Sequence, residues 1–243
     1  ETEVDQMKSE YLSTAAHELR TPMASIYGIS ELMSRRKLSP EQQAEVISTI
    51  HRQSELMIAI VNELLDLARI EARRGKDFTY EVLDLATLLP ELLQEFKPPV
   101  DRSPARLAPL SKSIFVRVDR NKMRQAIGNV VANAYKYSPQ GGAVEVRLVH
   151  GDSEPSMVGI EVRDHGIGLT PDQIARVGER FYRADASGNI PGTGLGISIV
   201  KEIIELLGGR MAIASEPGHG TTVTLWLPTT LASTPVEAAL EHA

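Results

Sequence analysis

The stretch Tyr11-Leu12-Ser13-Thr14-Ala15-Ala16-His17-Glu18-Leu19-Arg20-Thr21-Pro22-Met23 carries a helical period, with one histidine off that period. Apolar or small residues fall at Leu12, Ala15, Leu19, Pro22, Ile26, Ile29 and Met33, alternately three and four apart. That spacing predicts a helix with a bundle seam. His17 then lies opposite the seam, on the outer face. A second stripe runs Ile47, Ile50, Ser54, Met57, Val61, Leu64, Ala68, widened by Ile58 and Leu65. Ser39-Pro40-Glu41-Gln42 reads as a capping box with proline at the first helical position, so the second helix starts there. The turn between Arg35 and Leu38 is short, which predicts an antiparallel helical hairpin. A lone hairpin buries little apolar area. The wide stripes therefore predict two hairpins pairing as a dimeric four-helix bundle. The competing arrangement packs the same stripes on a second domain of the same chain.

Glu71-Ala-Arg-Arg-Gly75-Lys-Asp77 marks the end of this first domain, residues 1–75, with charge followed by a helix-ending glycine. The period changes from about Tyr80. Asp84 to Phe96 reads as a helix with an aspartate cap, residues 97–104 as a Pro-rich loop, and Ser113–Val118 as a strand. Lys122–Tyr137 is helical, and Gly141-Gly142 opens a hairpin of Val144–His150 and Met157–Arg163. Ile197–Leu207 is helical, and Met211–Ser215 pairs with Thr221–Leu227. Strands mixed with helices on one side predict an α/β sandwich over 80–228. Residues 229–243 read as a flexible tail with a short apolar patch at Val236–Leu240.

Polar motifs cluster in this second domain. Asn129 and Asn133 lie one helical turn apart, so both amides face one way. Amide oxygens facing a triphosphate suit Mg2+, which keeps several waters and takes few protein ligands. Lys136 falls on the adjacent face to meet phosphate, and Tyr137 can cover a purine. Asp164-His165-Gly166-Ile167-Gly168 follows a strand; its carboxylate can accept from an adenine amino group, and the glycines admit the base. Gly192-Thr193-Gly194-Leu195-Gly196 opens a helix, so its amides and the helix dipole point at an anion. It lacks the Gly-Lys-Ser/Thr ending of a Walker A loop and the context of a dinucleotide fingerprint. Gly218-His-Gly220-Thr221 joins the last strands, where Thr221 adds a hydroxyl near the base. Between the first two glycine turns, Glu179–Pro191 combines aromatic anchors, arginines, glycine and proline. It reads as a mobile lid in which Phe181 is the anchor and Arg180 or Arg183 meets phosphate. Each motif has a plainer reading as well: a polar helix stripe, a tight turn, a hairpin turn.

Composition narrows the field. The formal net charge is −6 with no strongly basic block, which gives nucleic acid little to bind. There is no cysteine, which excludes disulfides, thiolate chemistry and Cys-ligated zinc. No stretch approaches the roughly 18–20 apolar residues that cross a bilayer. The expectation is a cytoplasmic piece excised from a longer chain, with any membrane attachment in segments absent from it.

The joint order of these boxes resembles the catalytic core of a bacterial two-component sensor histidine kinase, over roughly Met7 to Pro228. The nucleotide boxes resemble the Bergerat-type ATP site that such kinases share with type II topoisomerases and mismatch-repair ATPases. By that resemblance Asn129 and Asn133 bind Mg2+, Lys136 binds phosphate, Tyr137 and Asp164 hold adenine, and the glycine turns shape the lid. The resemblance also implies a nucleophilic His17. Glu18 beside it would accept the second ring proton or orient the tautomer. Thr21, one turn on, would position water for dephosphorylation of a partner's aspartyl phosphate. Pro22 would bend the helix just after the acceptor. Two local departures, His165 in the first glycine turn and Met23 where leucine is commoner, carry no role. The implied function is autophosphorylation of His17 from Mg-ATP by a homodimer, then transfer to an aspartate in the receiver domain of a response regulator. The alternatives are a Bergerat-fold ATPase without protein phosphotransfer and a non-catalytic regulator-binding module.

Overall fold

The computed structural model of the chain describes residues 2–110, 112–151, 157–185, 190 and 192–231, with the side chains of 2–12 outside that set. The seam role expected of Leu12, the part of the lid at 186–189 and 191, and the tail from 232 onward lie outside the described residues.

Two long helices open the chain, α1 (Thr2–Arg35) and α2 (Pro40–Arg73), and they pack against each other. The capping box forms at the start of α2. The Ser39 hydroxyl accepts the Gln42 N–H at 3.3 Å, and the Gln42 side chain accepts the Ser39 N–H at 3.0 Å. The helix stops where Arg74 turns left-handed (φ 46°) and its N–H closes on the Ile70 carbonyl at 2.8 Å. α1 runs on through Pro22, which is buried, as is Ala15. Leu19, Ile26, Ile29 and Met33 are half-buried.

The α2 stripe is divided. Ile50, Ser54, Met57 and Leu64 are half-buried, whereas Ile47, Ile58, Val61, Leu65 and Ala68 are exposed. The most buried α2 residues, Ile60, Leu67 and Ile70, are ones that the stripe leaves out. The reason is that α2 serves two partners. Leu67 and Ile70 join the core of the second domain, while the helix also packs along α1.

Among the described residues the second domain has seven strands: β1 (Tyr80–Asp84), β2 (Arg106–Leu107), β3 (Phe115–Asp119), β4 (Glu145–His150), β5 (Met157–Arg163), β6 (Arg210–Glu216) and β7 (Gly220–Thr230). Its helices are α3 (Leu85–Glu95), α4 (Arg120–Lys136), α5 (Pro171–Arg176) and α6 (Gly196–Leu206). The sheet order is β1-β3-β7-β5-β4-β2, with β6 paired to β7. β7 is the spine. Its first part lies between β6 and β5, and its last residues, Thr229 and Thr230, pair with Val116 and Phe115 of β3. The sheet therefore runs two residues past the expected domain end, because threonine fits a pleated strand and β3 supplies the partner. Alternation on β5 points Val158, Ile160 and Val162 into the core, where they meet Met123, Ile127 and Val130 of α4 and Ile199, Val200 and Ile203 of α6.

Three elements had no expectation. β1 is five residues without clear alternation, and β2 is two residues beside a Pro-rich loop. α5 did have a signal. Thr170-Pro171-Asp172-Gln173 is a second capping box, with the Thr170 hydroxyl accepting from Gln173 N–H at 3.3 Å.

Leu67 is fully buried on a helix whose neighbours at Leu65 and Ala68 are exposed. Leu67→Ala should lower the unfolding free energy by about 2–5 kcal/mol. Urea denaturation followed by circular dichroism reads this. A change under about 0.5 kcal/mol, the range of ordinary surface substitutions, would mean that α2 is not seated in the second domain.

Candidate functional site

A cavity of about 810 Å3 opens between the sheet, α4, the turns ahead of α6, and α2. That volume suits a ligand of nucleotide size. Asn129, Asn133, Lys136, Tyr137, Asp164, Gly168, Arg183, Gly192, Thr193, Gly194, Gly196 and Thr221 all line it. These residues span more than ninety positions of sequence, so only the fold brings them together.

Asp164 stands at the end of β5 and is 6% exposed. Its Oδ1 accepts the Gly166 N–H at 2.9 Å and the Thr221 N–H at 3.1 Å. Burial holds its carboxyl above the ordinary aspartate range, against the lowering effect of those two N–H groups. Glycine is required here by space. A Cβ on Gly166 would lie 2.0 Å from the Tyr137 carbonyl, and one on Gly220, at φ +90°, would lie 2.0 Å from the Asp164 carbonyl. The Ile167 N–H donates to that Tyr137 carbonyl at 3.0 Å, tying the first glycine turn to the end of α4. Thr221 is fixed in turn by Ser215, its hydroxyl 2.8 Å from the serine oxygen.

On α4 the Asn129 Nδ2 donates to the Gly196 carbonyl at 3.2 Å, which leaves Oδ1 as the amide atom for a cation. Among the described residues no group of three His, Asp or Glu could hold a metal ion. A divalent ion here would rely on amide, water and phosphate oxygens, a donor set that suits Mg2+. The Lys136 ammonium lies over the Tyr137 ring at 4.9 Å. Burial lowers the Lys136 pKa, as does the neighbouring Arg183 charge, while Glu63 and Asp185 oppose the shift. Burial raises the pKa of the Tyr137 phenol.

The structure separates the two lid arginines. Arg183 lines the cavity; its Nη2 donates to the Ile190 carbonyl, and its buried Nε has no hydrogen-bond partner among the described residues. A buried donor without an acceptor is costly, and an anion in the cavity would relieve it. Arg180 does not line the cavity; it pairs with Glu71 on α2. Phe181 packs against the core, and its N–H donates to the Gly194 carbonyl at 3.0 Å from a left-handed conformation (φ 61°). Leu195 is a core residue, with its N–H on the Thr193 hydroxyl at 3.2 Å. Sequence reading missed the fourth wall entirely. Arg52, Gln53, Glu55, Leu56, Ala59 and Glu63 of α2 also line the cavity. Nothing local to α2 signals that, since the contact is set by where Leu67 and Ile70 seat.

His17 stands away from the cavity, on α1, with its side chain 72% exposed. Its Nδ1 faces the Glu18 carboxylate at 3.9 Å, beyond hydrogen-bond length. The Thr21 hydroxyl donates to the His17 carbonyl at 3.4 Å, one turn away.

Two sequence families match the chain. The His Kinase A (phospho-acceptor) domain covers residues 7–73, and the histidine kinase-, DNA gyrase B-, and HSP90-like ATPase covers residues 118–231. This chain belongs to the histidine kinases. The histidine protein kinase DivJ of Caulobacter vibrioides is 33% identical over 230 residues, covering 93% of this kinase chain and 38% of that protein. The sensor histidine kinase WalK of Bacillus subtilis is 30% identical over 229 residues, covering 93% and 37%. The chain thus spans less than two fifths of the length of these relatives. The crystal structure of full-length ShkA in complex with AMPPNP is similar at TM-score 0.63 and 28% identity, covering 95% of this chain and 48% of that one. The chain is the catalytic core of a two-component histidine kinase, with an ATPase-type nucleotide domain. No helix among the described residues is long and apolar enough to cross a membrane.

Gly220→Ala forces a methyl onto the Asp164 carbonyl from a backbone conformation that alanine resists. A strain of about 2 kcal/mol should lower the thermal unfolding midpoint by roughly 4–8 °C. Differential scanning calorimetry reads it, and an unchanged midpoint would show that the turn has slack.

Proposed function

We propose that this chain transfers the γ-phosphoryl group of ATP to His17, and that an aspartate in the receiver domain of a response regulator then takes it. The observation that carries the reading is the division of labour just described. A cavity lined by cationic and amide groups of the second domain and closed by α2 lies at one place, and a solvent-facing histidine beside a carboxylate lies outside it on α1. A pocket alone fits an ATPase, and an exposed histidine alone fits a surface residue.

Attack falls to Nε2, because Nδ1 faces Glu18. The Nε2 lone pair forms the N–P bond while the bond from the γ-phosphorus to the bridging oxygen breaks, and ADP leaves with those electrons. The imidazolium so formed sheds its Nδ1 proton to Glu18 or, given the 3.9 Å gap, through one water. Asp164 and Tyr137 hold the adenine end, Lys136 and Arg183 meet the phosphates, and the Gly192–Gly196 turn offers its amides. The turn's support is the helix that begins at Gly196. Asn129 and Asn133 would hold Mg2+, which when bound would offset the negative charge of the phosphates. Catalysis is then positioning and electrostatics. Since His17 lies outside the cavity, the nucleotide domain must leave its seat on α2, or reach a second copy, for transfer to occur.

The exposed apolar residues Met23, Tyr27, Ile47, Ile58, Val61 and Leu65 on the hairpin support a homodimer. Val61→Glu should halve the mass measured by analytical ultracentrifugation. A variant that sediments as wild type would remove this face from the interface.

Incubation with γ-labelled ATP tests the transfer. His17→Gln should abolish an acid-labile, base-stable label while leaving ATP affinity within about twofold, because the side chain lies outside the cavity. Labelling at the wild-type level would sink the assignment. In the same assay Thr21→Ala should label normally yet slow the loss of phosphate from a phosphorylated regulator, since only that reaction needs a water held one turn from His17. Equal loss with both proteins would return Thr21 to an ordinary helix residue.

A further inference from the structure

We infer that Glu63 of α2 is a built-in competitor of the nucleotide's terminal phosphates: it takes the Thr193 hydroxyl and draws on the Lys136 charge that phosphate would use, and ATP must displace it. This deepens the proposed function and rests on the reading of the cavity as an ATP site.

The contact is specific. Glu63 lines the cavity together with Asn133, Lys136 and Arg183, although it comes from the other domain. Its Oε2 accepts from the hydroxyl of Thr193, the residue between two glycines of the turn that heads α6. The Thr193 hydroxyl also accepts the Leu195 N–H at 3.2 Å, which leaves its own hydrogen for Glu63. The Glu63 carboxylate and the Lys136 ammonium attract each other. A carboxylate and a phosphate are both oxyanions, and they want the same hydroxyl, ammonium and guanidinium donors.

Burial raises the pKa of Glu63 and lowers that of Lys136, so both give up hydration in this arrangement. Each then leans on the other. A triphosphate entering the cavity would both repel Glu63 and satisfy Lys136, so the two anions exclude each other.

Two further carboxylates on the same length of α2 extend the hold. Asp66 accepts from the Gln125 side chain of α4 at 3.0 Å, and Glu71 pairs with Arg180 of the lid. Between them Leu67 and Ile70 sit in the second domain's core. The residues that would grip a nucleotide are thereby held by the helix that must release them before the His17 of the same chain can be reached. Linkage makes this reciprocal: whatever weakens the Glu63 contact tightens ATP, and ATP weakens the seat of the domain on α2.

Isothermal titration of the full chain with Mg2+ and AMPPNP, a triphosphate that does not react, tests this. Glu63→Ala should bind at least about fivefold more tightly than wild type. Glu63→Gln keeps the size and the hydrogen-bond reach but not the charge, so it should also tighten, and it covers the case in which the alanine variant folds poorly. AMP, which lacks the terminal phosphates, should show no gain. Unchanged or weaker AMPPNP binding by both variants would overturn the inference, as would an equal gain for AMP, which would mean looser docking rather than competition. Absence of AMPPNP binding by wild type and both variants would instead overturn the reading of the cavity as an ATP site, and the inference with it.

Discussion

The burial of Leu67 and Ile70 against the second domain is the constraint on which the arrangement depends. Each removes a full aliphatic side chain from water, worth about 1.5–3 kcal/mol apiece. The ion pair of Arg180 with Glu71, between partly exposed groups, is worth about 1 kcal/mol or less. Apolar burial therefore sets the seat, and the polar contacts set its register. Once the seat is made, the helical turns ahead of Leu67 have no choice of partner. Glu63 falls on Thr193, and Arg52 to Ala59 become the fourth wall of the cavity. A nucleotide cavity that belongs to the second domain by sequence is thus a two-domain cavity in space.

Within the second domain the corresponding anchor is Asp164. It is held by one backbone N–H from its own turn and one from β7, so two distant chain segments agree on where its carboxylate points. The glycines at 166 and 220 are the price of that closeness, since any Cβ there would strike a carbonyl. The site is tightly hydrogen-bonded around Asp164. Ahead of α6 the polar groups are less fully matched, with Arg183 Nε buried and without a partner among the described residues and Thr193 engaged by another domain's carboxylate. That asymmetry suits the proposed reaction, in which the site would hold one half of its ligand and hand over the other.

Much of this was legible in the chain. The capping box at Ser39, the helix carrying Asn129 and Asn133, and the hairpin of β4 and β5 follow from local rules, because capping, period and turn chemistry act over a few residues. The box at Thr170 obeys the same rule. β1 and β2 were not legible. They are short, and they exist because β3 and β4 offer them hydrogen bonds, which no local pattern records.

The sequence by itself determined the two-domain plan, the outward His17 and the set of residues that could serve a phosphate, since each depends on residue type and near spacing. Only the tertiary structure decided which arginine faces the cavity, that Arg180 turns to Glu71 while Arg183 stays, and that α2 closes the site with Glu63. The helical period of α2 fits either of two apolar faces. The choice between them was made by the area each buries against the rest of the molecule, a quantity that is not written in any window of the chain.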